Sequence, residues 1–200
     1  MSRKAPSGTR RADAQHNVKK ILDAAIDCLS RSRDASVVQI AQAAEVGRVT
    51  LYGHFPSRED LIEAALARLL SEGDEVLSGL DLTGEPRQSL QSLIASSWLL
   101  IAQSGAVLEA AQAVLPPERI HELHARPEQR VRDLIMRGQA QGVFRDDLPA
   151  AWLASALHHI LKGTAADVSS GAMNAEQAPR FITQIILAAY APQPANPEGA

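Results

Sequence analysis

Apolar residues recur along the chain at intervals of three and four, the spacing that places them on one face of a helix. The first apolar stripe runs from Val18 to Leu29 and predicts a helix of about four turns. Two shorter helices follow, one beginning at the N-cap Ser36 and one over residues 48–54. The chain is therefore predicted to open with three helices, of which the last two are short.

The remaining apolar stripes predict a larger set of helices after a break at residues 55–57. Ser57 is predicted as an N-cap, and Asp60 three residues later resembles a capping box with a shortened carboxylate. Pro127 suits the opening of a helix that Gly142 ends. Further helices are predicted over residues 87–103, 148–169 and 176–191, and a shorter one after the interruption at Ser104-Gly105 runs to about Val114.

These elements predict an all-α fold of about nine helices, with a three-helix N-terminal unit before a larger bundle. No stretch alternates between apolar and polar residues as a strand would, and no internal repeat is evident. We expect four parts in the chain. A disordered basic arm over residues 1–14 precedes a helix-turn-helix domain over 15–56. An effector-binding and dimerisation domain over 57–191 is followed by a disordered tail over 192–200.

The composition is that of a globular protein, with 46% apolar and 22% charged residues. Cys28 is the single cysteine, which excludes an intrachain disulfide and a zinc site built on several thiolates. No apolar run reaches the roughly 18 residues of a membrane span. The basic N-terminus lacks the hydrophobic segment of a secretory signal. We therefore expect a cytoplasmic protein with no membrane partner.

Charge is distributed unevenly, although the whole chain carries only −3. Residues 1–60 contain 10 Lys and Arg against 7 Asp and Glu, whereas residues 61–200 contain 10 against 16. A basic N-terminal part beside an acidic remainder is typical of a protein that meets a polyanion with one end only. A solvated basic tail without a partner would have the same composition, so charge alone leaves both interpretations open.

The spacing of the second and third helices is that of a helix-turn-helix, with the first helix in front of them. Ala41 and Ala44 are small enough for the two helices to approach closely, and Val46 fills the space beneath the turn. Leu51 anchors the third helix to the core. Because successive residues turn by about 100° around a helix, Val49 then lies roughly opposite Leu51 and points outward.

Residues 36–62, SVVQIAQAAEVGRVTLYGHFPSREDLI, resemble the DNA-binding domain of TetR-family transcriptional regulators. The family pattern has a Ser or Thr cap, an Ile-Ala pair, an Ala-Gly-Val turn, Thr-Leu-Tyr-x-His-Phe and a Ser-Lys-Glu-x-Leu start to the fourth helix. This chain departs from it at Glu45, where the turn usually has glycine, and at Gly47, where serine is common. If the turn needs a positive φ, Glu45 costs about 1 kcal/mol.

The resemblance implies that eight residues contact DNA, which are Ser36, Val37, Arg48, Val49, Thr50, Tyr52, His54 and Arg58. Arg48, Val49 and Thr50 would face the major groove, where arginine can pair with guanine and a methyl group can touch thymine. The others would hold phosphates, Val37 through its backbone amide, which positions the protein without reading sequence. Outside this motif, Tyr52 would be interpreted as a partly buried aromatic and His54 as a surface histidine.

A helix-turn-helix makes few contacts, so affinity normally comes from two copies on a two-fold site. The last two predicted helices carry apolar and small residues that suit a symmetric homodimer interface, and the family uses these helices for that purpose. The candidate interface residues are Trp152, Ala156, Phe181, Ile185 and Ala188. The alternative is that both helices belong entirely to the core of one chain.

In the family the middle helices enclose a small-molecule effector. Candidate ligand contacts are the polar or aromatic residues on otherwise apolar helices, which are Trp98, Gln103, His121, Met136 and His158. Core packing is the stronger alternative for each of them. The histidine pairs lack further converging ligands, so we expect no metal site. We also expect no cofactor and no catalytic residue, since phosphate loops, nucleophile elbows and HExxH are absent from the sequence.

The sequence thus predicts a homodimeric transcriptional regulator, and by the resemblance a repressor, that leaves a pseudo-palindromic operator when an unidentified small molecule binds. An activator would share every residue named. One alternative is a DNA-binding architectural or protein-regulated factor without a small-molecule effector. Another is a helical small-molecule-binding protein that no longer reads DNA, against which the intact Arg48, Tyr52 and Arg58 argue. None of these is an enzyme.

Overall fold

The computed structural model describes the backbone of residues 7–193 and the side chains of residues 12–193 apart from Gln103. Its helices are α1 (Ser7–Arg31), α2 (Val37–Ala43), α3 (Arg48–His54), α4 (Arg58–Ser78), α5 (Pro86–Gln112), α6 (Pro117–Ala140), α7 (Ala150–Ser169) and α8 (Ala178–Ala189). Helix α5 divides at Gln103 into two stretches, so the described part of the chain contains nine helical stretches and no strand. The predicted all-α fold is confirmed.

Two local predictions are wrong. Helix α1 begins at Ser7, so residues 7–14 are helical and do not belong to a disordered arm. This stretch, SGTRRADA, contains two arginines and two alanines, whose high intrinsic helix propensity favours extension of the helix beyond its apolar stripe. Pro127 lies inside α6, which Pro117 opens ten residues earlier. Residues 1–6 and 194–200, the remainder of the expected arm and most of the tail, lie outside the described residues.

The first compact unit comprises the chain up to Leu70 together with Ser104–His121. Within it α1 packs against α2, and α2 packs against α3. The unit extends past the predicted boundary at residue 57 because the first half of α4 contributes to its core. Leu61, Ile62 and Leu66 on α4 have no solvent exposure. The guanidinium of Arg68 also binds α1, with 2.6 Å between Nη2 and the Asp23 carboxylate.

The second compact unit comprises Ser71–Gln103 and the chain from Glu122 onward. Its apolar core is formed by side chains from α4 to α8 and from the loop before α7, among them Leu90, Ile94, Trp98, Leu134, Ile135, Phe144, Leu157, Ile182 and Tyr190. Gly138 allows Phe144 to lie directly against α6, because a Cβ built on Gly138 would be 2.1 Å from Phe144 Cδ2. The glycine is therefore required by packing.

Tyr190, the residue that ends α8, joins three segments of the second unit. Its ring is buried and meets Phe144 edge-on with 6.1 Å between the ring centroids. Its hydroxyl donates a hydrogen bond to the Leu153 carbonyl of α7. Its own carbonyl accepts a hydrogen bond from the Arg145 amide at 2.9 Å. Burial raises the pKa of the Tyr190 phenol, so the hydroxyl stays protonated and continues to donate.

None of the described helices is on its own long and apolar enough to cross a membrane. The two stretches of α5 meet those criteria of length and composition only when they are taken together.

Candidate nucleic-acid interface

Ser36 fixes the start of α2 through a reciprocal capping box. Its Oγ accepts a hydrogen bond from the Gln39 amide at 3.3 Å, and Gln39 Oε1 accepts one from the Ser36 amide at 2.8 Å. The predicted N-cap is confirmed. The Ser36 side chain is exposed, whereas the Val37 side chain is buried. Val37 can therefore reach DNA only through its backbone.

The turn between α2 and α3 depends on a left-handed residue. Glu45 has a φ of 54°. Among the described residues, the others with a positive φ are Gly142 and Gly171, which are glycines. The Val46 amide donates to the Ala41 carbonyl at 3.0 Å and the Glu45 amide donates to the Gln42 carbonyl at 3.1 Å. These two bonds form a Schellman motif, whose left-handed position usually has glycine. The positive φ considered for Glu45 is present.

Helix α3 has one buried face and one face that is exposed to solvent. Leu51 and Phe55 are buried, which fixes the helix to the first unit. Arg48, Val49 and Thr50 are exposed at its N-terminal end, and Val49 reaches 88% exposure. Gly47 precedes them as an N-cap without a side-chain hydrogen bond. The end of a recognition helix that normally meets base edges is therefore open to solvent.

Two residues predicted to hold phosphate follow on the same helix. Tyr52 is 41% exposed, and His54 is half-buried. The Tyr52 ring is thus neither in the core nor fully in solvent. Both side chains carry a polar group that can donate a hydrogen bond to a phosphate oxygen.

The start of α4 is held by a second capping box and by Arg58. The Asp60 carboxylate accepts hydrogen bonds from the Ser57 amide at 3.0 Å and from Ser57 Oγ at 2.7 Å, which confirms the predicted box. Arg58 Nη2 donates to the carbonyls of Arg33 and Ala35 at 3.2 and 3.3 Å. Arg58 therefore ties α4 to the loop before α2, a structural role that its sequence position did not indicate.

Lys19 and Lys20 of α1 are engaged with acidic neighbours. Lys19 Nζ lies 3.1 Å from the Asp23 carboxylate, and Lys20 Nζ lies 3.6 Å from that of Glu45. Arg68 also binds Asp23. Partial burial would raise the pKa of Asp23, but the hydrogen bonds from Lys19 and Arg68 outweigh it and lower the pKa below its ordinary value. The Asp23 carboxylate therefore binds two cationic side chains, Lys19 of α1 and Arg68 of α4, at the surface of the first unit.

The candidate dimer residues lie on α7 and α8, which pack against each other. Trp152 is 59% exposed and Ile185 is 57% exposed. Ala188 is exposed, whereas Ala156 and Phe181 are half-buried. The guanidinium carbon of Arg180 lies 5.1 Å from the centroid of the Phe181 ring. These helices thus leave large apolar side chains uncovered, and none of the five candidates belongs to the buried core.

The candidate ligand residues are distributed over both compact units. Trp98 is buried in the core, Met136 is 45% exposed, and the Gln103 side chain lies outside the described part. His121 is exposed and belongs to the first unit, whereas His158 belongs to the second. The second unit instead contains a cavity of about 540 Å³ lined by charged residues of α4 and α6. These residues were not predicted from the sequence, although their arginines recur on one face of α6.

His158 lies in a cluster of imidazole rings between α6 and α7. Its ring centroid is 5.8 Å from that of His124 and 6.2 Å from that of His159. Burial, and then the neighbouring His124, lower the pKa of His158 below its ordinary value. His159 Nδ1 is 2.7 Å from the Ser155 carbonyl. Among the described residues, no group of three or more side chains is arranged to hold a metal ion.

A short helix anchored by Leu51 and exposed at Arg48, Val49 and Thr50, behind a tight turn, has the architecture of the helix-turn-helix found in DNA-binding regulators.

Comparisons with known proteins narrow this class. Residues 21–65 match the profile of a family described as "Bacterial regulatory proteins, tetR family". The HTH-type transcriptional repressor NicS of Pseudomonas putida is 28% identical over 157 residues, which cover 71% of this chain and 72% of NicS. The chain is therefore similar to transcriptional regulators of the TetR family, and the matched residues cover the second part of α1, all of α2 and α3, and the first turns of α4.

Solved structures share the fold. The fatty acid degradation regulator FadR from Bacillus halodurans gives a TM-score of 0.73 at 18% identity, over 93% of this chain and 97% of that structure. A protein of Saccharomonospora viridis in complex with choline also gives 0.73, at 22% identity over 87% of this chain and 97% of that one.

Proposed function

We propose that this protein is a repressor that binds a pseudo-palindromic DNA operator as a homodimer and leaves it when a small molecule binds. The exposure of α3 carries this proposal. Val49 is 88% exposed beside the buried Leu51, and folding gains almost nothing from an apolar side chain left in water. In the complex with DNA, this valine would bury its side chain against a thymine methyl group in the major groove.

The neighbours of Val49 supply the polar part of the same contact. An exposed arginine such as Arg48 can bind guanine through two hydrogen bonds, and the Thr50 hydroxyl and methyl suit several bases. Tyr52, His54 and Ser36 surround this end and would bind phosphates. Among the described residues, Arg58 uses only Nη2 in its bonds to the protein, so other donors of its guanidinium can still meet a phosphate.

The uncovered apolar residues of α7 and α8 support the dimer. Trp152 and Ile185 each expose more than half of their surface, and aromatic residues of this kind are enriched at the centres of interfaces. A two-fold dimer built on these helices would present two α3 helices to one operator. The half-sites are then expected about 34–36 Å apart along the DNA, or at a multiple of that distance.

Repression and release by a small molecule are supported by relatives. The name of NicS describes a repressor, and the structure from Saccharomonospora viridis contains choline. Release requires that the effector favours a state with lower DNA affinity. The coupling free energy between effector binding and DNA binding is typically 1–3 kcal/mol. Like other members of its class, the protein would act in the cytoplasm, where its operator is.

Selection from random duplex DNA with the purified protein tests the DNA-binding proposal. We expect enrichment of a two-fold motif, bound in excess over unrelated DNA at two salt concentrations. Enrichment of no motif, with weak binding that falls steeply as salt rises, would leave only non-specific phosphate contact and contradict the proposal.

Variants of α3 assign the contacts on the selected motif. Arg48→Ala is expected to weaken binding by about 1–3 kcal/mol and to relax preference at one base position. Tyr52→Phe is expected to weaken binding equally across sequences, since it removes a phosphate contact. Arg87→Ala, on α5 in the second unit, is the matched control and should leave affinity unchanged. Wild-type affinity in both α3 variants at fixed salt would refute the assignment.

A further inference from the structure

The second unit contains a charged cavity of about 540 Å³, and none of the residues predicted to bind a ligand is on its lining. It is lined by Asp74 near the end of α4, by Leu82 and Thr83 in the following loop, and by one face of α6. Cavities of roughly 300–1,000 Å³ that combine apolar walls with a few charged groups are typical of small-molecule sites. The charges on the lining indicate which chemistry this one accepts.

One of the three arginines on the lining is already neutralised. Arg130 Nη1 lies 2.7 Å from the Asp74 carboxylate, and both side chains are largely buried. A buried ion pair of this kind has little charge left for a ligand. On the same face of α6, the Asp133 carboxylate accepts a hydrogen bond from Gln129 Nε2 at 2.6 Å.

Among the residues that the structure describes, Arg137 donates hydrogen bonds only to uncharged oxygens. Its Nη2 is 3.0 Å from the Gly84 carbonyl and 3.4 Å from Ser89 Oγ. Its Nε is buried and has no hydrogen-bond partner among the described residues. The carboxylate of Asp81 is close enough for its pKa to be lowered, first by hydrogen bonds from Thr83 and then by the charge of Arg137. Arg137 therefore places an incompletely satisfied cation on the cavity wall.

Arg126 stands on the same helix, 11 residues before Arg137, and is exposed. No ion pair or hydrogen bond of its side chain is present in the described part of the chain. Eleven residues correspond to about 16 Å along a helix, so the two arginines mark opposite ends of the lined face. Leu134 and Leu82 supply apolar surface between the charged groups.

We propose that this cavity binds a small organic monocarboxylate with an apolar body. The three arginines and two aspartates of the lining leave one net positive charge, which a single carboxylate balances. A guanidinium presents paired donors to a carboxylate, so Arg137 holds the head group while the apolar body lies against Leu134 and Leu82. Arg126 attracts the anion at the open end.

The use of this site as the effector site rests on the proposed regulatory function, but binding itself does not. Calorimetry on the full chain without DNA therefore tests the site by itself. The probes are octanoate and benzoate, with octan-1-ol and benzyl alcohol as neutral counterparts and acetate as an anion without an apolar body. We expect saturable one-to-one binding of at least one carboxylate, at least tenfold weaker binding of its alcohol, and no saturation by acetate.

Variants locate the ligand. Arg137→Gln should abolish binding, and its melting temperature shows whether the chain remains folded. Gln129→Glu adds a negative charge to an exposed position on the lining and should weaken binding several-fold even if Arg137→Gln fails to fold. Gln91→Glu makes the same charge change on an exposed position of α5 away from the cavity and should bind as the wild type does.

Three outcomes would overturn the proposal: saturable binding of neither carboxylate, equal binding of the alcohols, or unchanged affinity in Gln129→Glu. Titration of the bound carboxylate into the complex with the selected operator then tests the effector role separately. Release of DNA by the carboxylate but not by its alcohol would support that role. Binding in calorimetry without any change in operator affinity would refute the effector role alone, and a failure to select an operator would count only against the proposed DNA binding.

Discussion

Glu45 shows how a single residue can carry strain inside the helix-turn-helix. Its φ of 54° is in the left-handed region, where a Cβ is unfavourable by about 1–2 kcal/mol. Its ion pair with Lys20 joins two exposed side chains at 3.6 Å, and such pairs contribute little. The position is therefore occupied at a net loss of stability.

Replacement of Glu45 by glycine should relieve this strain. We expect Glu45→Gly to raise the free energy of unfolding by about 0.5–1 kcal/mol, since glycine also gains freedom in the unfolded chain. Glu45→Ala is the matched control, because it removes the ion pair but retains the Cβ. Thermal unfolding of both variants measures the difference, and equal stability of the two would show that the backbone is not strained.

Gly138 is a position where a glycine is required, whereas Glu45 is one where a glycine is preferred but absent. A methyl group there would lie 2.1 Å from Phe144 Cδ2, and the buried phenylalanine has little room to move away. Gly138→Ala should destabilise the protein by about 1–3 kcal/mol. Gly163→Ala, on α7 where nothing lies within 4 Å, should instead stabilise it by roughly 0.5–1 kcal/mol through helix propensity. Chemical denaturation of both variants checks the opposite signs.

Local hydrogen-bonding residues were predictable because their partners are three residues away. Ser36 and Ser57 were identified as caps from the residues around them, and the structure confirms both. Arg58 was assigned only to DNA because its partners, the carbonyls of Arg33 and Ala35, are more than 20 residues distant along the chain. A sequence pattern contains no sign of such a contact.

At the scale of elements, the contact between α6 and α7 is sensitive to pH through His158. Its ring is packed between His124 and His159, with Glu128 and Lys162 as the charged groups that also act on it. Burial lowers the pKa of His158 in the folded state below that of the unfolded chain. Folding therefore opposes protonation.

The expected result is a loss of stability in acid. Above the unfolded pKa, about 6.5, neither state binds the proton. As the pH falls below it, the unfolded state takes up a proton first, so stability decreases until the folded pKa is reached and then levels off. His158→Gln should reduce the difference in melting temperature between pH 7.5 and pH 5.5. An identical difference in the variant would contradict the contribution of His158.

Helix α6 also shows where periodicity is insufficient. Pro127 was predicted as a helix start, but it lies in the middle of α6, where a proline removes one backbone hydrogen bond. The spacing of the arginines on α6 also gave no sign that Arg130 pairs with Asp74 of α4, which is distant along the chain.

For the whole molecule, the proposed dimer makes a direct prediction. Ile185→Glu places a charge on the uncovered face of α8, where Ile185 is 57% exposed and contributes little to the core. We expect the dimer dissociation constant to rise at least about tenfold, with a corresponding loss of operator affinity. Gln184→Glu changes a neighbouring exposed residue and is the control. A variant that remains dimeric by light scattering would place the interface elsewhere.

The fold class and the similarity to TetR-family regulators could be predicted because the motif over residues 36–62 is dense and local. The charged cavity could not, since its lining combines α4, a loop and α6. The ligand contacts that the resemblance implied include Trp98, which is buried in the core, and His121, which is in the other unit. A local motif therefore specifies the helix-turn-helix, whereas a cavity depends on residues that only the fold brings together.

The position of Tyr190 has a genetic consequence. A stop codon at this position would leave every helix from α1 to α8 translated. It would nevertheless delete the ring that meets Phe144, the donor to the Leu153 carbonyl and the acceptor for the Arg145 amide. A nonsense mutation at this codon would therefore open the core of the second unit although all of the described helices are still made.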